Sequence, residues 1–566
     1  MLLAYSMPNS NTLRFQIWIV CVVCILVGMP AWFFLLRGSR ILDSDPVLFT
    51  GWIVLSGLIL AIWYLLKTTP EDAIKLKPGR SQSVIMIGAV WLHVNAIVWL
   101  VPGLSDDVLR YRRDGQSWSM QVSPYARSLS LPPFKEMYAL VSNEWFSRDF
   151  KHPLDPLDAR LHHWSMRTIY LPTAEAVFAG VWKLEHGMLG WSLIPPEASP
   201  RWRESMHHLS WIRQVLVWRT VFGLMTLAAT WLLMRTAIRL DRSPWWAVLI
   251  GWHPLAIIET SGMAHQDALG VMLLAGAFLA WVASYPLSLR ERVGVRGLAI
   301  SEAIELGERP LPSLLPGGEG TRHALEYSTL STRRFDWHTP AAGVLLALAC
   351  GVKPLAIFAA AFWFIARPSK RWVGPFVLTG LLLASVFLYQ DGYVGFLQTL
   401  RTYTQTWEAN GSLFHVIRTQ LQPVWIHGWW MPAEWFFVPW DFARMVGATI
   451  VAGVVIALVR KRAHWTTAYY WLVLVSLLVA PVVYPWYLLW LLVIVPILNP
   501  RWGLTGLVFA ATVTFNYRLW HEPQWVMPWS FLAAEYLPVY AAMIVEVGLS
   551  MNQKQSEPQM NVDERR

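Results

Sequence analysis

Two adjacent carboxylates, Asp106 and Asp107, directly follow an apolar run, Ile85 to Val101, that is long enough to cross a bilayer as a helix. The chain there reads Leu104-Ser-Asp-Asp-Val-Leu-Arg-Tyr-Arg-Arg-Asp-Gly115, setting two acids and then Arg110, Arg112 and Arg113 where a membrane helix meets water. Carboxylates at that depth are wet enough to ionise and accept a proton, and close enough to the headgroups to meet the phosphate of a lipid-linked substrate. The plainer alternative is a solvated helix end. A helix C-terminus disfavours negative charge, because its own dipole is negative there. Ionisable groups beside hydrocarbon are also expensive to keep. The pair is therefore read as functional, with Arg112 and Arg113 equally compatible with anchoring to headgroups.

Four more polar interruptions recur between apolar runs. They are Arg167-Thr-Ile-Tyr-Leu-Pro-Thr-Ala-Glu175; His253-Pro254 with Gly262-Met-Ala-His-Gln-Asp-Ala268; Lys353-Pro354; and Pro481-Val-Val-Tyr-Pro-Trp-Tyr487. His265 and Asp267 read either as a wet turn or as part of a site. Lys353 inside an apolar stretch costs about 2.5–3.5 kcal/mol on insertion scales, which calls for a partner charge or a phosphate. Tyr484, Trp486 and Tyr487 suit an aromatic belt as well as a binding wall. His162-His163 and His207-His208 lack a ligand spacing and read as exposed loop histidines.

The elements that must position these residues are membrane helices. Of 566 residues, 55% are hydrophobic and 14% charged, and about a dozen apolar stretches of helical length follow one another. The fold class is all-α, a polytopic integral membrane protein with about 12–14 transmembrane helices. Spans are expected at 15–36, 47–66, 84–102, 211–236, 244–262, 267–285, 341–366 (broken at Gly351-Val-Lys-Pro354 into a hairpin), 374–389, 442–459, 467–481, 486–499, 503–518 and 530–548. Residues 171–187 read as an interfacial or partly inserted helix. There are 36 Trp, and Trp52, Trp99, Trp191, Trp245, Trp440 and Trp502 flank apolar runs, which predicts rings at the headgroup level. Cys21, Cys24 and Cys350 lie inside apolar runs and imply no disulfide framework.

Basic loop residues set orientation. Lys67 to Arg80, Arg235 to Arg242, Arg367 to Arg371 and Arg460 to Arg462 share one side, the cytoplasmic one, if 341–366 is a hairpin. The net charge of +10 is then mostly a cytoplasmic-face charge and argues no nucleic-acid partner. The other side carries the long 103–210 loop and a second loop at 390–440. The chain divides into two extra N-terminal helices (1–83), a core (84–285), a flexible insertion rich in Gly, Pro, Arg and Glu (286–338), C-terminal helices (339–550) and a polar tail (551–566).

The ordered series SDD-x₂-RY-x₂-DG, Pro124-Tyr125, TIYLP, HP…GxxHQDAL, VKP and PVVYPWY resembles bacterial polyprenyl-phosphate-sugar-dependent glycosyltransferases of the GT-C fold, most closely a mannosyltransferase-like branch. The resemblance runs from about residue 84 onward and rests on the order of the motifs rather than on any one of them. It implies a hexosyltransferase of the bacterial inner membrane, with its site on the extracytoplasmic face. Asp106 or Asp107 would be the catalytic base. Arg110, Tyr111, Arg113, His265 and Lys353 would bind the donor phosphate, and Asp114, Tyr170, Asp267, Tyr484, Trp486 and Tyr487 would line the same cavity. The implied partners are a polyprenyl-phosphate sugar donor, a lipid or glycan acceptor and membrane lipids. Arg113 and Ser123 depart from the Trp and Asn expected at those positions, and Leu171 from the expected Pro.

The same chemistry follows from the residues. A lipid phosphate leaves readily, so the reaction needs a base for the acceptor hydroxyl, typically worth ~10²–10⁴-fold, and cations opposite the departing charge. One carboxylate acting on one face inverts the anomeric centre. No cofactor is required, although adjacent aspartates could hold a divalent metal. The competing reading is a transporter or flippase of a lipid or polyol, which predicts internal repeats and mid-depth charges on broken helices. A third is a noncatalytic membrane protein.

Overall fold

The computed structural model describes residues 10–37, 45–69, 78–100, 104–105, 107–127, 166–189, 200–284, 336–366, 370–425, 439–522 and 527–556. The expected insertion at 286–338 and the tail from 551 fall largely outside them, and so do Asp106, His162 and His163. The described residues are helical, with no strand beyond isolated bridges from Ala409 and Asn410 to Val482. Seven helices among them are long and apolar enough to cross a membrane, and five more apolar helices run 10–17 residues. The chain is therefore an integral membrane protein by helix length and composition.

Helices α1 (Ser10–Leu35), α2 (Asp45–Thr68) and α3 (Pro78–Trp99) pack side by side. Trp32 donates its indole N–H to the Val47 carbonyl at 2.9 Å, and Arg14 bonds the Thr68 carbonyl at 2.8 Å, so α1 and α2 run antiparallel. After α4 (Asp107–Ser119) and α5 (Pro172–Leu189), the long α6 (Pro200–Arg239) lies against α3 and α7 (Asp267–Ala283). Helix α8 (His338–Cys350) runs antiparallel to α7, with Gly276 beside Leu345 and Gly270 beside Val352.

The expected hairpin is present in the backbone. Helix α9 (Ile357–Ala366) returns from Lys353, and its Trp363 stacks on Trp281 near the far end of α7 at 4.1 Å. Trp372 then reaches the start of α8, where a Cβ on Gly343 would lie 2.2 Å from its carbonyl oxygen, so only glycine fits there. Helix α10 (Val373–Ser385) climbs again, continues through a kink with Gln390 and Asp391 at positive φ (52° and 55°), and resumes as α11 (Gly392–Thr406). The second loop expected to begin at 390 is thus helical for its first half, and α12 (Ser412–Trp425) follows it. Helices α13 (Pro439–Arg460), α14 (Trp465–Val479), α15 (Leu504–Thr512) and α16 (Trp529–Ser556) complete the bundle.

Three expectations are corrected. Residues 244–262 are a chain of short 3-10, α and π turns rather than one continuous helix, interrupted at His253-Pro254. Residues 486–499 are likewise a series of short 3-10 and α turns, which opens at Pro485 and is interrupted ahead of Pro496. Trp52 and Trp245 are fully buried among helices, not set at a bundle edge. The Trp52 indole donates to the Ala510 carbonyl at 3.1 Å, which lets a polar ring edge sit in the interior.

Alternating helix directions bring residues 104–127, 166–189, 258–267, 351–353, 390–412 and 481–487 to one end of the bundle. Arg239 and Arg242 lie toward the other, beside His338 and His464.

Candidate functional site

Helix α3 stops at Trp99, and Asp107 opens α4 with its backbone N–H on the Ser105 hydroxyl at 3.2 Å. The expectation of a carboxylate at a helix C-terminus is therefore reversed. Asp107 stands in a first turn, where free N–H groups and the positive end of the dipole favour its charge. Its partner in the expected pair, Asp106, lies outside the described residues.

One turn along α4, Tyr111 returns to the same face. Its hydroxyl lies 3.4 Å from Asp107 Oδ2 and 3.4 Å from His265 Nδ1, and that nitrogen is 3.5 Å from Asp107 Oδ2. The Asp107 side chain is 28% exposed and His265 is fully buried, so the triangle has one open corner and it is the carboxylate.

His265 is placed by an irregular turn. The π turn Ile258–Gly262 is followed by Ala264 at φ 62°, and the His265 backbone N–H closes onto the Glu259 carbonyl at 2.8 Å. The imidazole stacks on Trp486 with centroids 3.8 Å apart, and its Nε2 lies 3.2 Å from Glu259 Oε2. Burial, reinforced by the Lys353 ammonium, holds the ring well below the usual histidine range, so it is neutral. Burial and the Asp107 charge push the Tyr111 phenol well above its usual range, so it keeps its proton to donate.

Two residues after His265, Asp267 begins α7. Its Oδ1 accepts from Lys353 Nζ at 2.6 Å and from the Trp490 indole at 2.5 Å. Oδ2 is buried without a hydrogen-bond partner. Lys353 sits in the extended link between α8 and α9, its ammonium 3.6 Å above the Tyr487 ring. The Tyr487 hydroxyl meets that of Tyr403 on α11 at 3.1 Å. Tyr484 stacks on Trp486 at 4.7 Å, which extends the aromatic wall. Asp107 is near enough for its charge to act on both Lys353 and Tyr403. Asp107, Tyr111, His265, Asp267, Lys353, Tyr484, Trp486 and Tyr487 are thus brought together at one place.

The remaining expected residues fasten α4 to its neighbours. Arg110 Nε bonds Asp114 at 3.0 Å, and Nη1 bonds the Met166 carbonyl at 2.9 Å. Glu175 accepts from the Thr168 hydroxyl and the Trp118 indole, at 2.8 and 2.9 Å. Burial and the adjacent Asp114 charge push Glu175 well above the usual carboxylate range. Arg112 pairs with Glu185 at 2.9 Å, and Trp218 donates to the same carboxylate at 2.8 Å. Arg113 bonds Gln116 at 2.7 Å. Arg112 and Arg113 are buried, which corrects the headgroup-anchor reading. A Cβ on Gly115 would come within 2.3 Å of the Phe178 carbonyl, so α4 and α5 meet backbone to backbone. Tyr170 meets Tyr111 edge-on at 5.0 Å and belongs to the boundary between the two groups.

Glu259, Trp490 and Tyr403 were not anticipated. An acid within the apolar stretch around Ile257-Ile-Glu was a usable signal for Glu259, whereas nothing local marks Trp490 or Tyr403. Among the described residues no group of three or more His, Cys, Asp and Glu is arranged to hold a metal ion. Compared with protein-family models, curated proteins and solved structures, the chain matches none.

Proposed function

We propose that the protein is a membrane glycosyltransferase that moves a hexose from a polyprenyl-phosphate donor to a lipid-linked or glycan acceptor, with Asp107 as the base. The observation that carries this reading is the open corner of the Asp107–Tyr111–His265 triangle next to the Lys353 ammonium and the Tyr484–Tyr487 wall. A half-exposed carboxylate whose Oδ2 faces a phenol and an imidazole is oriented to take a proton from an acceptor hydroxyl. As the acceptor oxygen bonds to the anomeric carbon, the bond from that carbon to phosphate oxygen breaks and its electron pair leaves with the lipid phosphate. Lys353 is the cation placed to meet that charge. The aromatic wall of Tyr484, Trp486 and Tyr487 beside Lys353 suits a sugar as neighbour, and the surrounding apolar helices suit a donor tail that stays in the bilayer. A single base on one side inverts the anomeric carbon. The basic residues toward the opposite end of the bundle support an extracytoplasmic site in a bacterial inner membrane.

The test is release of polyprenyl phosphate from a synthetic short-chain polyprenyl-phosphate hexose by protein in nanodiscs, with a membrane lipid extract as acceptor. Asp107→Asn lowers the rate ~10²–10⁴-fold at unchanged folded yield. Full activity in Asp107→Asn would sink Asp107 as the base.

A second reading, a lipid or polyol transporter, draws on the broken backbone at 244–262, 351–356 and 485–497 around a buried Lys353–Asp267 pair, a pattern that transport sites share. It requires uptake of labelled substrate into proteoliposomes without release of polyprenyl phosphate.

A further inference from the structure

Behind the proposed base stands a buried acid that the transfer step does not use. Glu259 lies in the π turn, fully buried, and neither of its side-chain oxygens receives a hydrogen bond. Its close polar neighbour among the described residues is His265 Nε2, at 3.2 Å, on the side of the ring opposite to Asp107. The other ionisable groups whose charge reaches it are Asp267 and Asp107, both acidic. The cation and imidazole that face the same turn are engaged elsewhere. Arg219 on α6 bonds the Ser261 and Ala96 carbonyls at 2.8 and 2.6 Å, and His93 on α3 meets the Ser261 hydroxyl at 2.6 Å. A carboxylate shut away from water with no cation beside it is far costlier than the neutral acid. In the acid form Glu259 has one O–H to donate, and the acceptor in reach is His265 Nε2.

We infer that Glu259 is a positioning residue: its carboxylic acid donates to His265 Nε2 and so fixes the imidazole as the tautomer whose Nδ1–H faces Asp107. This rests on the reading of Asp107 as the base. The consequence is specific. With Nδ1–H turned to this corner, the Tyr111 hydroxyl, 3.4 Å from both Nδ1 and Asp107 Oδ2, is left to donate to the carboxylate, and the Nδ1–H 3.5 Å from the same oxygen adds to holding Asp107 as an anion. In the opposite tautomer a lone pair on Nδ1 would face the carboxylate, which penalises the anion and raises the pH at which Asp107 becomes a base. The remaining groups around Asp107, the Lys353 ammonium and the Tyr403 hydroxyl, are the same in both cases. No net proton is consumed, because Glu259 keeps its own through the cycle.

The arrangement also accounts for the local backbone. A π turn adds one residue to each turn, and here it lets the Glu259 carbonyl take the His265 backbone N–H at 2.8 Å while the Glu259 side chain reaches the His265 ring. Arg219 and His93 hold Ser261, in the middle of that turn, to α3 and α6. The turn is thus pinned from outside while the acid is left to one partner.

The experiment is the pH profile of kcat/KM for polyprenyl phosphate release, with three variants in nanodiscs. Glu259→Gln keeps a donor toward Nε2, and its acid limb should coincide with that of the wild type. Glu259→Met removes the donor and replaces a buried acid by an apolar group of similar size, so folding is retained. Its acid limb should move upward by about one pH unit, with a tenfold or larger loss of rate below that limb. An unmoved limb in Glu259→Met, at normal folded yield, overturns the inference, and so does an equal displacement in Glu259→Gln. Asp107→Asn is the separate control. If it retains full activity, the base assignment itself fails, whatever the Glu259 variants do.

Discussion

Buried charge occurs in two forms in this molecule, closed in one region and open in the other. Glu546 on α16 is closed. It accepts from the Leu504 and Thr505 backbone N–H groups at 3.0 and 3.2 Å, from the Thr505 hydroxyl at 2.5 Å and from Tyr470 at 3.1 Å, and so caps the start of α15. The Arg112–Glu185 pair with Trp218 is satisfied in the same manner. Around Asp107 and Asp267 the count does not close. One Asp267 oxygen and both Glu259 oxygens receive no hydrogen bond, and the Asp107 and Lys353 side chains keep 28% and 17% exposure. A closed network fixes helices in place. An open one leaves lone pairs unmatched beside a partly exposed carboxylate and a partly exposed ammonium side chain. Orphaned buried oxygens occur also on Asn410 and Glu535, and what separates the candidate site from the scaffold is that its orphans lie beside the partly exposed Asp107 and Lys353.

The sharpest way to break the contrast is Lys353→Met. Removing the cation strands Asp267 as a buried anion, which should destabilise the protein by about 3–5 kcal/mol in detergent melts and abolish transfer. Adding Asp267→Asn should restore most of the stability, since Asn still accepts from Trp490, while leaving transfer abolished. Recovery of both properties together would make the pair a structural strut and return it to the closed class. Glu546→Ala is the converse, with an expected cost on the order of 3 kcal/mol from the donors it leaves unmatched. Transfer per folded molecule should be unchanged, because nothing in that cap touches the candidate site. A variant that folds normally but loses turnover would show the two regions to be coupled.

Much of the open region was legible in the sequence, and for a physical reason. Charges such as Lys353 and Asp267 inside or beside apolar runs are expensive, so their presence alone flags them. The same reasoning applied to Glu259 would have found it, but its run looked like an ordinary span. The orientation of Asp107 was misread because Pro102-Gly103, a helix stop, falls between the apolar run and the acids. With α3 ending at Trp99 and α4 opening at Asp107, the carboxylate moves from the unfavourable end of a dipole to the favourable one. Trp52 and Trp245 were misplaced because an indole suits a helix crossing as well as a headgroup zone, and local sequence does not separate the two. The closed networks were the least legible. Arg112 and Glu185, 2.9 Å apart, are residues that only the packing of distant helices brings together.

Tyr403 tests where the boundary between the two forms falls. It belongs to α11, part of an apolar span from Val373 to Thr406 whose buried residues are Gly392, Gly395 and Thr399, and it meets the candidate site through its hydroxyl on Tyr487. Tyr487 in turn lies under the Lys353 ammonium at 3.6 Å. Tyr403→Phe deletes one hydrogen bond, worth ~0.5–1.5 kcal/mol, and leaves the ring packing on Trp407 in place. If the hydroxyl pair orients the aromatic floor beneath the cation, transfer should fall roughly two- to tenfold with melting unchanged, since energy of that size would be lost from the bound state. If the pair only ties α11 to the bundle, the same energy should appear as a lower melting temperature at unaltered kcat/KM. The effect is the smallest of the set, yet its two outcomes are opposite. They assign α11 either to the open region that meets the substrate or to the closed frame around it.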